Sequence, residues 1–82
     1  MKYQVKFKPK AIKKLGKLSS QDKTRIIAKI EAMIDNLQGD VKKLTNFFPQ
    51  YRLRVGNYRV LFDIEDNTLI IYRVKHRQNA YN

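Results

Sequence analysis

The stretch Tyr51–Val74, YRLRVGNYRVLFDIEDNTLIIYRV, constrains this chain more than any other. Two runs, Tyr51–Val55 and Tyr58–Ile64, alternate apolar with polar residues across a Gly56-Asn57 link. Alternation with a period of two marks strands with one buried face, and a two-residue Gly-Asn link suits a tight hairpin. With that turn Val55 pairs with Tyr58, Leu53 with Val60 and Tyr51 with Phe62, and these six line the core face. The other face sets Arg54 directly against Arg59, with Arg52 one step along. Like charges directly opposed on a sheet are destabilising. Folding alone gives no reason for this pairing, whereas a bound anion would. Guanidinium forks match phosphate bidentately and stay charged at any physiological pH.

The remaining segments supply a partner layer for that sheet. Tyr3–Phe7 alternates as a short first strand, and Pro9 is suited to the first turn of a helix. Ala11, Ile12, Leu15 and Leu18 give this helix a narrow apolar stripe, with Lys10, Lys13, Lys14 and Lys17 toward solvent. Ser20 reads as the N-cap of a second helix running from Gln21 to about Leu37, where Ile26, Ile27, Ile30, Met33, Ile34 and Leu37 recur at helical spacing. Gly39 is expected just past its end. A connector, Gln38–Gln50, carries Leu44, Phe47 and Phe48, which should pack onto the body. After the hairpin, Asp66-Asn67 turns the chain into a last strand, Thr68–Val74, apolar on both faces as for a strand with two neighbours. The expected fold class is α+β: one domain spanning residues 1–82, with two helices on one face of a mainly antiparallel sheet.

Charge narrows the partners. Eighteen Lys+Arg stand against seven Asp+Glu, a net charge of +11 on 82 residues. So basic a chain calls for a polyanion, either nucleic acid or an acidic protein. The basic residues do not lie on one long amphipathic helix, and no apolar run approaches the roughly 20 residues that span a bilayer, so no membrane role is expected. Without cysteine there is no disulfide or thiolate chemistry, and with one histidine no His/Cys metal site. No metal and no cofactor are expected. A soluble cytoplasmic protein is the default.

Few residues beyond the arginines carry chemistry. His76 is the sole histidine, and its ordinary pKa near 6.5 suits proton transfer near neutrality. A lone histidine is more often a bystander. Arg77 and Tyr81 share the polar tail with it, and Tyr81 could equally be a packing anchor. The three glycines stand too far apart for a phosphate loop, the acids form no defensible dyad, and a serine triad would need Ser19 or Ser20 from an interhelical break.

At YRLRVGNYRVLF, followed after the last strand by HRQNAY, the sequence resembles the RelE/ParE toxin superfamily of type II toxin–antitoxin systems. The likeness covers nearly the whole chain, including the Lys43-Leu44 pair in the connector. It implies a compact microbial-RNase-like fold neutralised by an acidic, RelB-like antitoxin. In the RelE-like branch it implies ribosome-dependent cleavage of mRNA in the A site, the 2′-hydroxyl attacking the adjacent phosphate. Carried over by motif, Arg52 and Arg54 stand where well-known members have lysines. Arg59 takes the phosphate-binding arginine position, Arg77 the late arginine and Tyr81 the terminal tyrosine, with Lys43 among the phosphate-binding set. Arginine is a poor base, so the expected proton-transfer group is His76, assisted by Tyr81. No longer extension is expected after Tyr81. The alternatives are a ParE-like inhibitor of DNA gyrase and a non-catalytic basic binding module.

Overall fold

The computed structural model describes residues 2–80. The elements run β1 (Gln4–Phe7), α1 (Pro9–Lys17), α2 (Ser20–Met33), β2 (Val41–Lys43), β3 (Tyr51–Val55), β4 (Tyr58–Glu65) and β5 (Thr68–His76), followed by a 3-10 turn, Arg77–Asn79. The five strands form one sheet in the order β1-β5-β4-β3-β2. β1 joins β5 in parallel, and the other three pairings are antiparallel. The α+β class and the two-helix layer follow the sequence expectation, and β5 does have neighbours on both sides.

The hairpin register is the expected one: Tyr51 opposite Phe62, Leu53 opposite Val60, Val55 opposite Tyr58 and Arg54 opposite Arg59. Gly56 adopts φ +56° while Asn57 does not turn positive. A positive φ confined to the first central residue is the II′ pattern, which favours glycine there. A Cβ at Gly56 would also approach the Arg25 guanidinium to 2.5 Å. The turn therefore lies against α2. Inside, Leu53, Val60, Phe62, Leu69 and Ile71 are fully buried against Ala11 of α1 and Ile26, Ile30 and Met33 of α2. Phe62 stacks on Tyr51 at 5.5 Å between ring centroids. Truncating Phe62 to alanine is expected to cost about 3–5 kcal/mol.

Three boundaries differ from expectation. Ser19, not Ser20, caps α2: its hydroxyl accepts from the Asp22 N–H at 3.2 Å. α2 ends at Met33, one turn short of Leu37, because Tyr3 N–H donates to the Ile34 carbonyl at 2.9 Å and Asp35 bridges to Lys2. Asn36 and Leu37, both at positive φ, then carry the chain away, so they rather than Gly39 reverse it. Third, the connector contains an edge strand, β2, paired with β3. Its apolar residues pack unevenly. Leu44 and Phe47 are half-buried, but Phe48 is 65% exposed, its ring edge-on to Tyr72 at 5.0 Å.

One irregularity sets the far end of the sheet. The β4–β5 register shifts between Leu61, opposite Arg73, and Phe62, opposite Ile71, leaving Tyr72 as the extra residue of a bulge. Beyond it Val74 returns to the core, and Arg73 and Lys75 lie opposite Leu61 and Arg59. Residues directly opposed in an antiparallel pair share a face. The bulge thus delivers two more cations to the face that carries Arg52, Arg54 and Arg59.

Candidate functional site

β3, β4 and the chain around β2 build a cleft on the sheet face away from the helices. Its lining includes Lys42, Phe47, Arg52, Arg54 and Arg59, around a volume of about 440 Å3. Period-2 geometry puts Arg52 and Arg54 on this face, and the tight turn sets Arg59 against Arg54. Asp40, on the turn before β2, binds both of the first two. Arg54 Nε lies 2.6 Å from Asp40 Oδ2, and an Arg52 amine nitrogen lies 3.1 Å from Oδ1. The same Arg52 nitrogen donates to the Asp40 carbonyl at 2.8 Å, and the Arg54 backbone N–H donates to that carbonyl at 3.0 Å. Hydrogen bonding from Arg52 and the charges of both arginines hold the Asp40 carboxyl below its ordinary value of 3.8, against a smaller opposing effect of burial.

Arg59 is held differently. Its guanidinium donates to the carbonyls of Gly56 and Tyr58, each at 3.0 Å. Neutral carbonyls fix its direction without cancelling its charge. Opposite it stands Lys75, whose pKa is lowered from 10.5 by burial first and then by Arg73 and Lys10. A lysine so placed sheds its proton more readily than one in water.

The other expected residues are distributed unevenly. Lys43 pairs with Tyr51, whose side chain belongs to the core face, so Lys43 points away from the cleft; its neighbour Lys42 pairs with Arg52 and lines it. His76 pairs with Tyr58 on the helix side, ring against ring at 5.7 Å and 80°, and its Nδ1 accepts from the Gln78 N–H at 3.3 Å. Tyr58 is tied to α2 in turn, its hydroxyl donating to Asp22 at 3.3 Å. The structure therefore does not bring His76 into the cleft with the arginines. Arg77 is exposed in the 3-10 turn, where its N–H donates to the Asn57 carbonyl at 2.7 Å and docks the tail on the hairpin turn. Tyr81 lies outside the described residues.

Sequence reasoning missed three participants. Lys42 was open to the same alternation argument as the arginines, had the connector been read as a strand. Lys75 was hidden by the bulge, which shifts the face of every residue after Tyr72. Asp40 gave no signal, because its role depends on how β2 docks. Among the described residues no group of three or more His, Cys, Asp or Glu could hold a metal, and no helix is long and apolar enough to cross a membrane.

A two-helix layer beneath a mixed sheet, with an arginine cleft on the open face, defines a small basic α+β protein. Its relatives agree with that form. Residues 5–81 match the ParE toxin family of the type II toxin–antitoxin system parDE. A protein of Escherichia coli named for its likeness to RelE toxins is 31% identical over the whole chain and 93% of its own length. Toxin RelE3 of Methanocaldococcus jannaschii is 39% identical over 60% of this chain, a match that spans only 56% of that toxin's length. Two solved structures share the fold. The RelB–RelE antitoxin–toxin complex of Methanococcus jannaschii gives a TM-score of 0.75 at 33% identity, covering 92% of this chain and 93% of its counterpart. The archaeal RelE–RelB complex of Pyrococcus horikoshii gives 0.76 at 27% identity, covering 98% and 100%. The chain belongs to the RelE/ParE superfamily of type II toxins.

Proposed function

We propose that this toxin is a ribosome-dependent mRNA endonuclease that cuts in the A site and is neutralised by an acidic, RelB-like antitoxin. The observation that carries the reading is the cleft itself: three arginines converge there, and backbone carbonyls anchor Arg59. In the reaction the 2′-oxygen loses its proton and attacks the adjacent phosphorus. The 5′-oxygen leaves and takes up a proton, giving a 2′,3′-cyclic phosphate and a 5′-hydroxyl. The phosphorane between gains negative charge, which preorganised guanidinium donors stabilise more than they stabilise the ground state. Arg59 and Arg54 are assigned to the reacting phosphate and Arg52 to the flanking backbone, with Arg77 contributing from the docked tail.

Proton transfer goes to Lys75. It faces Arg59 across the β4–β5 ladder with a lowered pKa, whereas His76 is the register partner of Tyr58 and packs its ring on that tyrosine. Tyr81 is assigned the orientation of the reacting nucleotide. Translation supplies the substrate geometry, so weak activity on free RNA accords with the reading. A cytoplasmic location accords with it as well. The antitoxin assignment draws support from the RelB-bound relatives and from the +11 charge, which favours salt-sensitive association with an acidic chain.

The test is primer extension on mRNA in a purified translation system, with wild type beside Arg59→Ala. Discrete cuts within A-site codons, dependent on ribosomes and absent in the variant, are expected. A second reading, inhibition of DNA gyrase, is favoured by the match to the ParE toxin family. Intact mRNA together with blocked gyrase supercoiling would replace the first reading with that one.

A further inference from the structure

The strongest feature outside the arginine cleft is a second basic groove, between α1 and β5. Lys10, Lys13, Lys14 and Lys17 recur at i, i+3, i+4 and i+7, on one face of α1. Each neighbouring pair on that face is like-charged, which weakens a helix. α1 holds no acid that could offset this, and Lys10 sits in the first turn, where the helix dipole disfavours a cation. None of the four makes an ion pair among the described residues. Facing them are Arg73 and Lys75, with His76 at one end and Val74 the one apolar lining residue among those described, around about 440 Å3. β1 stops opposite Ile71, so α1 rather than a strand flanks this half of β5.

The groove and the arginine cleft meet at one pair of residues across the β4–β5 ladder. Lys75 lines it and is also the register partner of Arg59. We propose that the groove is a phosphate track, holding the single RNA strand that runs on from the phosphate at Arg54 and Arg59. This rests on the reading of the arginine cleft as the RNA site and extends it by several nucleotides. The chemistry favours nucleic-acid backbone over a protein segment. Flexible ammonium groups at the steps of a helix face neutralise successive phosphates without reading bases. A docked peptide needs apolar pockets for its anchors, and Val74 alone does not supply them.

The experiment uses the whole protein and fluorescence anisotropy with uncleavable 2′-O-methyl RNA, one oligonucleotide of about three nucleotides and one of about ten, titrated across salt. Three forms are compared: wild type, a variant with Lys10, Lys13, Lys14 and Lys17 all changed to Gln, and one with the same four changed to Arg. Each phosphate neutralised on a single strand releases counterions and contributes about −0.7 to the salt slope. Loss of four lysines is therefore expected to flatten the long oligonucleotide's slope by about 3 and to weaken its binding at least about tenfold at low salt, with the short one within about twofold. The Arg variant keeps wild-type binding of both lengths, which separates lost charge from a damaged helix. Equal binding of the long strand by wild type and Gln variant overturns the track and leaves the arginine cleft standing. Failure of wild type to bind the long strand at low salt also overturns the track, while the arginine cleft is judged separately by the translation assay with Arg59→Ala. Displacement of the long strand by an acidic peptide that binds wild type more tightly than RNA, and not the Gln variant, overturns the track in favour of a protein partner.

Discussion

The arginine cleft and the lysine groove are both positively charged and handle that charge in opposite ways. In the cleft Asp40 ties down Arg52 and Arg54, and carbonyls aim Arg59, so each fork has a fixed direction before any ligand arrives. Along α1 four lysines make no ion pair among the described residues. Fixed donors aimed at one point stabilise charge as it develops there, which is a catalytic property. Cations on long, flexible side chains attract a polyanion and tolerate its register, which is a binding property. Under the proposed function, the difference separates where a phosphate would react from where a strand would merely be held.

The largest effect that could break this distinction is at Arg59. Replacing it with alanine removes a donor preorganised by two carbonyls, and cleavage in the translation assay is expected to fall by about 10²–10³. Its binding of a long oligonucleotide should fall far less. If both fall together, the cleft is only another binding surface. Next in size comes Lys75→Met, expected to slow single-turnover cleavage about 10²-fold and to remove a basic-side inflection from its pH profile. His76→Ala is expected to stay within a few-fold of wild type. The reverse pair of results would return proton transfer to His76.

These two neighbours also show how far the sequence could be read. Alternation and the Gly56-Asn57 turn are local properties, so the hairpin, its register and the Arg54–Arg59 pairing were legible. The face of Lys75 and His76 was not. It depends on one extra residue, Tyr72, and a slip of one position exchanges the two faces of a strand. The ends of α2 were missed for a related reason. The apolar spacing through Ile34 and Leu37 is helical, but Tyr3 and Lys2 compete for the backbone at Ile34 and Asp35. Long-range pairing overrode a sound local pattern. Asp40 was beyond reach for the same reason, since nothing near it in sequence requires an arginine partner.

A smaller effect is expected from Asp40→Asn, and its sign is informative. The substitution frees Arg52 and Arg54 and adds one unit of net positive charge, so RNA should bind a few-fold tighter and with a steeper salt dependence. Turnover should nevertheless fall several-fold, because the two forks lose their common anchor. Tighter binding with unchanged turnover would mean that Asp40 merely damps charge. Lost binding would mean that it shapes the cleft.

The smallest effects concern stability, and they place the two regions at opposite ends of the pH scale. The Asp40 carboxyl is held below 3.8 in the folded chain, so folding favours its charged form. Its contribution is present above that value and is lost as pH falls through the lowered pKa. The thermal stability of wild type should therefore exceed that of Asp40→Asn near neutrality and converge with it in acid. Lys75 is depressed from 10.5, so folding disfavours its charged form, through burial and through Arg73 and Lys10. Between the lowered value and 10.5 the unfolded chain binds more protons, and stability must rise with pH. Relative to Lys75→Met, wild type should gain stability as the solution is made alkaline. A variant with Lys10 changed to Gln should shrink that gain, because one of the charges opposing Lys75 is gone. If the gain is unchanged, burial and Arg73 depress Lys75 without help from Lys10, and α1 is not electrostatically joined to it.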